Sequence, residues 1–359
     1  YWCFGYGAWL CLALMLAAGI IAHHQKLSAL LAAGILLLPA TQYPATTWWS
    51  KPDLDREYVL SLDVEHYFGN IQKMRKHLET DRQILWVTYY RNLYNATHPS
   101  EINSPVSLSR NLLAWNQPGT NGLILPVNPS ASFLSILFAN ELWFTLGDMT
   151  MAEHCAMLSM IFSPRNSGSR MIKRLAEINL VNGDDEAALK YLRILDKTLL
   201  HKSWAEKRIP GQQTPRVKEW LEKKRRDIPT QDHLRSGNDA VTSLRNLVAS
   251  NAGNLRAYEY LLCYHLLSKD LRSFVEDYVP GKVSSSIFAE ALLIHLARQG
   301  NIRAEELIKY QIPVKIAKEF ADYTRLYEAK DTSLKEKYGK TYWFYYHFAT
   351  TEPGKESKP

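Results

Sequence analysis

Few residues of this chain are of the types that do chemistry, and their spacing keeps them apart. The densest group lies in "AEHCAML", residues 152–158, where Glu153, His154 and Cys155 stand side by side. A carboxylate, an imidazole and a thiol together could bind a metal or pair a nucleophile with its base. Adjacent residues on a helix point in different directions, however, so these three cannot converge on one atom. His23-His24 flank an apolar run, and Asp184-Asp185 open a periodic segment, where a helix N-terminus favours negative charge. The chain carries no phosphate-binding P-loop, no Gly-x-Gly-x-x-Gly, no His-Glu-x-x-His and no Gly-x-Ser-x-Gly. No group supplies a nucleophile, a base and an oxyanion donor at once. The expectation is therefore no catalytic residue, no metal and no cofactor.

Binding is what remains. Asn140, Trp143, Asn179, Tyr258 and His265 fall on helical segments at related positions and are expected to line a concave groove. Residues 201–235 hold ten Lys/Arg against five Asp/Glu, which supplies most of the chain's net +7. Within them "EWLEKKRRD" sets Lys223, Lys224, Arg225 and Arg226 in a row. Such a run is ordinarily a solvated helix face or connector. Its functional alternative is contact with anionic membrane lipid; nucleic acid is not an expected partner.

The elements that would position these residues are helices. Breaks made of Gly and an acid or amide recur at Gly69-Asn70, Gly147-Asp148, Gly183-Asp184 and Gly300-Asn301, with Lys269-Asp270 as a degenerate member. Each follows one apolar-periodic segment and precedes another. Gly ends a helix because it enters the left-handed conformation without a Cβ penalty, and Asp or Asn caps the next helix by accepting from its free N–H groups. The breaks therefore predict αα-hairpin turns. Ahead of them Ile136-x-x-Ala139-Asn140-x-x-Trp143 aligns with Ile172-x-x-Leu175-Ala176-x-x-Asn179, Tyr258-x-x-Leu261-Leu262-x-x-His265 and Ala289-x-x-Leu292-Leu293-x-x-Leu296. Positions three and four apart share a helix face, so each unit makes an apolar stripe that needs a neighbour.

On these residues the chain resembles the tetratricopeptide repeat family. The best match is 132–198, two consecutive units with the turn glycines 147 and 183, Ala152 and Ala188 five residues on, and Pro164 ending the first unit. Units near 255–280 and 284–310 match less well, because Phe274 and Glu305 occupy positions where that family keeps a small residue; those hairpins are expected to splay. The stretch "MIKRLAEINLVNGDDEAALKYLRILDKTLLHKSWA" (171–205) also resembles an uncharacterised family of bacterial multi-pass membrane proteins with a degenerate helical-repeat tail. That resemblance implies an architecture and no activity.

Residues 1–50 contain a single charged side chain, Lys26. Two apolar runs, 1–22 and 27–49, flank "HHQK"; 22 helical residues span about 33 Å, the thickness of a bilayer core. Without a basic leader the first run does not read as a signal peptide. Because residue 1 is Tyr, further spans are expected upstream. The four cysteines are dispersed and read as small core residues. The expected fold is all-α: an N-terminal transmembrane helical hairpin (1–50) followed by a degenerate tetratricopeptide-like α-solenoid. Its first half covers 51–200 and includes a Pro-rich loop at 96–130. A basic connector at 201–235 leads to a second half and aromatic cap at 236–350, and a disordered tail covers 351–359.

The functional expectation is a scaffold, integral to the bacterial inner membrane, that binds a protein or peptide partner. The alternative is the repeat domain of a multi-pass, glycosyltransferase-like enzyme or a transporter whose working part lies upstream.

Overall fold

The structure, a computed structural model, describes residues 54–78, 87, 90, 94, 133–162, 168–231 and 240–348. Every regular element among them is an α-helix. In chain order these are α1 Leu54–Phe68, α2 Ile71–Leu78, α3 Phe133–Leu146, α4 Met149–Phe162, α5 Ser169–Asn182, α6 Asp185–Asp196, α7 Lys202–Glu206 and α8 Pro215–Arg225. They continue with α9 Ala240–Ser250, α10 Leu255–Leu267, α11 Leu271–Asp277, α12 Ser286–Arg298, α13 Ala304–Lys309, α14 Val314–Glu328, α15 Leu334–Tyr338 and α16 Tyr342–Phe348.

One expectation is corrected. Among the described residues no helix is long and apolar enough to cross a membrane. The hairpin expected at 1–50 lies outside those residues, and its membrane-spanning part, with the integral-membrane location drawn from it, is withdrawn. The all-helical class stands on the helices themselves. The loop at 96–130 and the tail at 351–359 also lie outside the described residues.

The five breaks share one geometry. Gly69, Gly147, Gly183, Lys269 and Gly300 all have positive φ, between 57° and 94°. Beyond each, a backbone N–H reaches back five residues: Asn70 to Glu65, Asp148 to Trp143, Asp184 to Asn179, Asp270 to His265 and Asn301 to Leu296, at 2.8–3.0 Å. This is the Schellman closure, which satisfies carbonyls that the ending helix leaves unpaired. Three of the acids then cap the next helix: Asp148 accepts from Met151 N–H, Asp184 from Ala187 N–H and Asp270 from Ser273 N–H, at 2.9–3.0 Å. Two further turns of the same kind escape the Gly signal, at Gln311 (φ 53°) and Lys330 (φ 53°).

The chain divides into two compact units, residues 1–74 and 75–359. In the first, α1 buries Val59 and Leu62. In the second, successive helices lie side by side: α3 against α4, α4 against α5, α5 against α6 and α6 against α7, with α8 laid on α5. Short turns between touching helices make these pairs antiparallel. Ala152 and Ala188, fully buried, let the pairs close, and Asn140 Nδ2 donates to the Ala152 carbonyl at 2.6 Å across the first of them. Ala176, Leu192, Leu195 and Ala205 form the core between α5, α6 and α7, flanked by Ile172, Tyr191 and Trp204. Further on, α9 packs on α10, α10 on α11 and α11 on α12. Here Phe274 is fully buried against Tyr278 and Phe288, with ring centroids 5.5 and 5.9 Å away. Helix α13, which carries Glu305, buries none of its residues, and α12 packs instead on α14 and α16. The exposed Glu305 stands on α13 where close packing would need a small group, whereas the bulky Phe274 is accommodated in the core between α11 and α12.

Candidate functional site

The cavity of interest forms where α12, α14 and α16 meet. It encloses about 470 Å3 and is lined by Ile294, Ala297 and Arg298 from α12, by Phe320, Tyr323, Thr324, Tyr327 and Glu328 from α14, and by Tyr346 and His347 from α16. The volume falls within the range of ordinary ligand clefts, about 300–1,000 Å3. Phe320, Tyr323 and Tyr327 recur at helical spacing and so project from one face of α14. Opposite them "YWFYYHF" makes α16, which buries Tyr342, Trp343, Phe344 and Tyr345 and leaves Tyr346 and His347 toward the cavity.

Rings form the wall. Tyr323 and Tyr327 stack at 6.0 Å, Tyr327 and His347 at 4.5 Å, and Tyr323 and His347 at 5.8 Å. The Tyr323 hydroxyl donates to the Trp343 carbonyl at 3.1 Å and lies 2.7 Å from Nδ1 of His347. With its proton so committed, the phenol accepts from the imidazole N–H. Burial pushes the Tyr323 hydroxyl above its ordinary range, and Tyr327 adds to the effect. Burial likewise holds His347 below the usual imidazole value, against the raising influence of the Trp343 carbonyl, so the ring is neutral at pH 7. At the rim Arg298 donates to the Tyr346 hydroxyl at 2.5 Å. Tyr327 keeps 40% of its surface exposed. Neutral rings bounded by one guanidinium and one carboxylate suit an apolar side chain with polar neighbours. Among the described residues no three His, Cys, Asp or Glu side chains are placed to hold a metal.

The five residues expected along a groove lie instead in the core. Asn140 is fully buried, Trp143 and Tyr258 are 2% exposed, His265 2% and Asn179 8%. Asn179 Nδ2 donates to the Leu175 carbonyl one turn back at 2.8 Å. Tyr258 donates to the Asp277 carbonyl at 3.0 Å and accepts from Val279 N–H at 2.6 Å. His265 Nε2 lies 2.8 Å from the Asp277 carboxylate, which also holds Arg245 at 2.9 Å. These last two residues pin the chain after α11 onto α10. Helix periodicity identifies a shared face; it does not say that the neighbouring pair covers that face.

The basic run is only partly a solvated surface. Lys223 is exposed. Lys224 lies over the Phe144 ring at 4.5 Å and donates to the Phe144 carbonyl at 3.4 Å. Arg225 donates to the carbonyls of Leu180 and Val181 at 2.7 and 3.0 Å. The Arg226 carbonyl accepts from Asn251. Cations thus meet the negative C-terminal ends of α3 and α5, where they are most stabilising. Asn254 and Arg256 complete the set by donating to the Leu146 and Thr145 carbonyls at 2.7 and 3.0 Å. Glu153, His154 and Cys155 share α4, and Cys155 and Cys263 are buried and outside any disulfide.

The described residues form paired helices whose aromatic end encloses a cleft. By sequence the chain belongs to the DUF6057 family, a family of unknown function, whose profile matches residues 4–349. No curated protein and no solved structure matches it significantly.

Proposed function

We propose that this chain is a helical-hairpin scaffold of tetratricopeptide-like character that holds a protein or peptide partner. In this reading an apolar side chain of the partner anchors in the cleft between α12, α14 and α16. The observation that carries it is the cleft itself: about 470 Å3, walled by Tyr323, Tyr327 and His347, and bounded by Arg298 and Glu328. Interfaces concentrate their energy in a few aromatic and arginine contacts around such a pocket, and stacked helices commonly offer a peptide a surface of this kind. Five hairpin turns of one geometry and the buried Ala152 and Ala188 support the repeat character.

The test is selection of a displayed random-peptide library on the protein, run beside a Thr324→Trp variant. Thr324 lines the cleft and is only partly buried, so an indole there fills the space without disturbing the core. The wild type is expected to enrich peptides sharing one aromatic or aliphatic anchor, and the filled variant to lose them. Equal enrichment on both proteins would refute the reading.

A further inference from the structure

The turn from α6 to α7 holds two leucines in water. Leu199 is 97% exposed and Leu200 85%, more than any other large apolar side chain among the described residues. Thr198 closes the turn around them: its N–H and its hydroxyl both donate to the Leu195 carbonyl, at 2.9 and 2.7 Å. The same hydroxyl accepts from His201 N–H and the Thr198 carbonyl accepts from Lys202 N–H, each at 3.2 Å. Nε2 of His201 lies 3.2 Å from the Ser169 hydroxyl, which ties the turn to the start of α5. Beneath it the core of Ala176, Leu192, Leu195 and Ala205 closes without either leucine. Both side chains therefore project from a hydrogen-bonded turn, outside the core.

Cations flank the pair. Lys190, Arg193, Lys197, Lys202 and Lys207 are exposed, against exposed Asp196 and Glu206, a net of +3 over residues 190–207. Lys190 and Lys202 meet carboxylates at 3.6 and 4.0 Å on the open surface, in pairs that water weakens. Arg193 and Lys197 meet no carboxylate within 4 Å among the described residues. Protein interfaces are depleted of Lys, and Leu is under-represented among their strongest contacts. The surface of a bilayer takes both, since leucines enter the boundary of the acyl chains while Lys and Arg meet anionic headgroups. A fluid surface also needs no pocket shaped to receive the protrusion.

We propose that the α6–α7 turn docks on the surface of an anionic phospholipid bilayer. Leu199 and Leu200 enter the outer ends of the acyl chains, and Arg193, Lys197 and Lys202 lie on the headgroups. The contact involves one leaflet and no crossing segment, and it shares no residue with the cleft between α12, α14 and α16.

Amide hydrogen exchange of the full chain, read at residues 197–203 by mass spectrometry, tests this with vesicles of phosphatidylglycerol and phosphatidylcholine in equal parts. The readout is local, so lipid binding elsewhere on the chain does not enter it. Exchange in the turn is expected to slow with these vesicles and to stay unchanged with phosphatidylcholine alone. Leu199→Ser combined with Leu200→Ser should raise the lipid concentration for half-protection about tenfold or more, and Lys197→Gln about fivefold. All three positions are exposed, so folding, checked by circular dichroism, is retained. Unchanged exchange with the anionic vesicles overturns the proposal, as does equal protection by neutral ones or undiminished protection in the double variant. Protection that grows with protein concentration in the absence of lipid assigns the turn to a second copy of this chain and overturns it too.

Discussion

Gly147 and Gly183 sit at equivalent turns, with φ of +94° and +83°, yet their surroundings differ. A Cβ on Gly183 would meet nothing within 4 Å, whereas one on Gly147 would lie 2.3 Å from the Asp227 carbonyl oxygen and 2.8 Å from its carbon. Gly183→Ala should therefore lose only the backbone cost of a side chain in the left-handed region, about 1–2 kcal/mol. Gly147→Ala bears that cost and must also displace Asp227. The Asp227 carbonyl accepts from Asn254 Nδ2 at 2.7 Å, and its carboxylate holds Arg256 at 3.3 Å. Loosening those two contacts costs about 1 kcal/mol each, and the steric shift about 1 kcal/mol or more. The expected loss is about 4–5 kcal/mol or more, so the two variants should differ by about 3 kcal/mol. Urea unfolding followed by circular dichroism measures the difference at a common slope. Losses equal within about 0.5 kcal/mol would show that the approach of Asp227 to the α3–α4 turn does not restrain this fold.

Other expectations follow from the same geometry. Asp184→Ala should cost about 1 kcal/mol in urea unfolding, because it removes the acceptor for Ala187 N–H at 2.9 Å. Arg225→Ala should cost about 1.5–3 kcal/mol through its bonds to the Leu180 and Val181 carbonyls, whereas Lys223→Ala next to it should stay within about 0.5 kcal/mol. Burial, reinforced by Arg174 and Arg256 against Asp227 and Glu177, lowers Lys224 from its ordinary value to about 8. The folded state therefore releases this proton before the unfolded chain does, and stability rises with pH from about 8 toward the unfolded value near 10.5. Lys224→Met should flatten that rise between pH 8 and 9.5 relative to wild type, and an unchanged pH slope would contradict the placement.

The turns were legible because their chemistry is local. Positive φ favours Gly, and the Asp or Asn that follows accepts from N–H groups within three residues, so both signals sit in a dipeptide. The turn at Gln311 carries neither a glycine nor a capping acid, and the one at Lys330 lacks the glycine although Asp331 accepts from Ser333 N–H at 2.8 Å; without the glycine both went unread. Burial within the aromatic end of the chain was legible, since so apolar a run as "YWFYYHF" cannot remain wholly in water, and Tyr342, Trp343, Phe344 and Tyr345 are buried. Its cleft was not, because the walls come from segments beginning at Ile294 and ending at His347. The groove residues failed for a physical reason: a stripe such as Asn140 and Trp143 looks the same whether water or the next helix pair covers it. The basic run is mostly exposed, at Lys223, Arg225 and Arg226, as such runs ordinarily are; what it holds onto was hidden by distance. Its partners at Phe144 and Val181 lie 80 and 44 residues upstream, and charge counting carries no information about them.

The stretch that reads as a boundary between two halves is a weld. The last turn of α3 presents the carbonyls of Phe144, Thr145 and Leu146, and their donors are Lys224, Arg256 and Asn254. A nascent chain that has emerged as far as α6 holds the right helices but leaves this end without its donors until another sixty residues have followed. Fragments cut at 201–235 should accordingly be poor folders on both sides of the cut, the upstream piece exposing orphaned carbonyls and the downstream piece orphaned amides and guanidinium groups. Whoever divides this protein for expression should cut elsewhere.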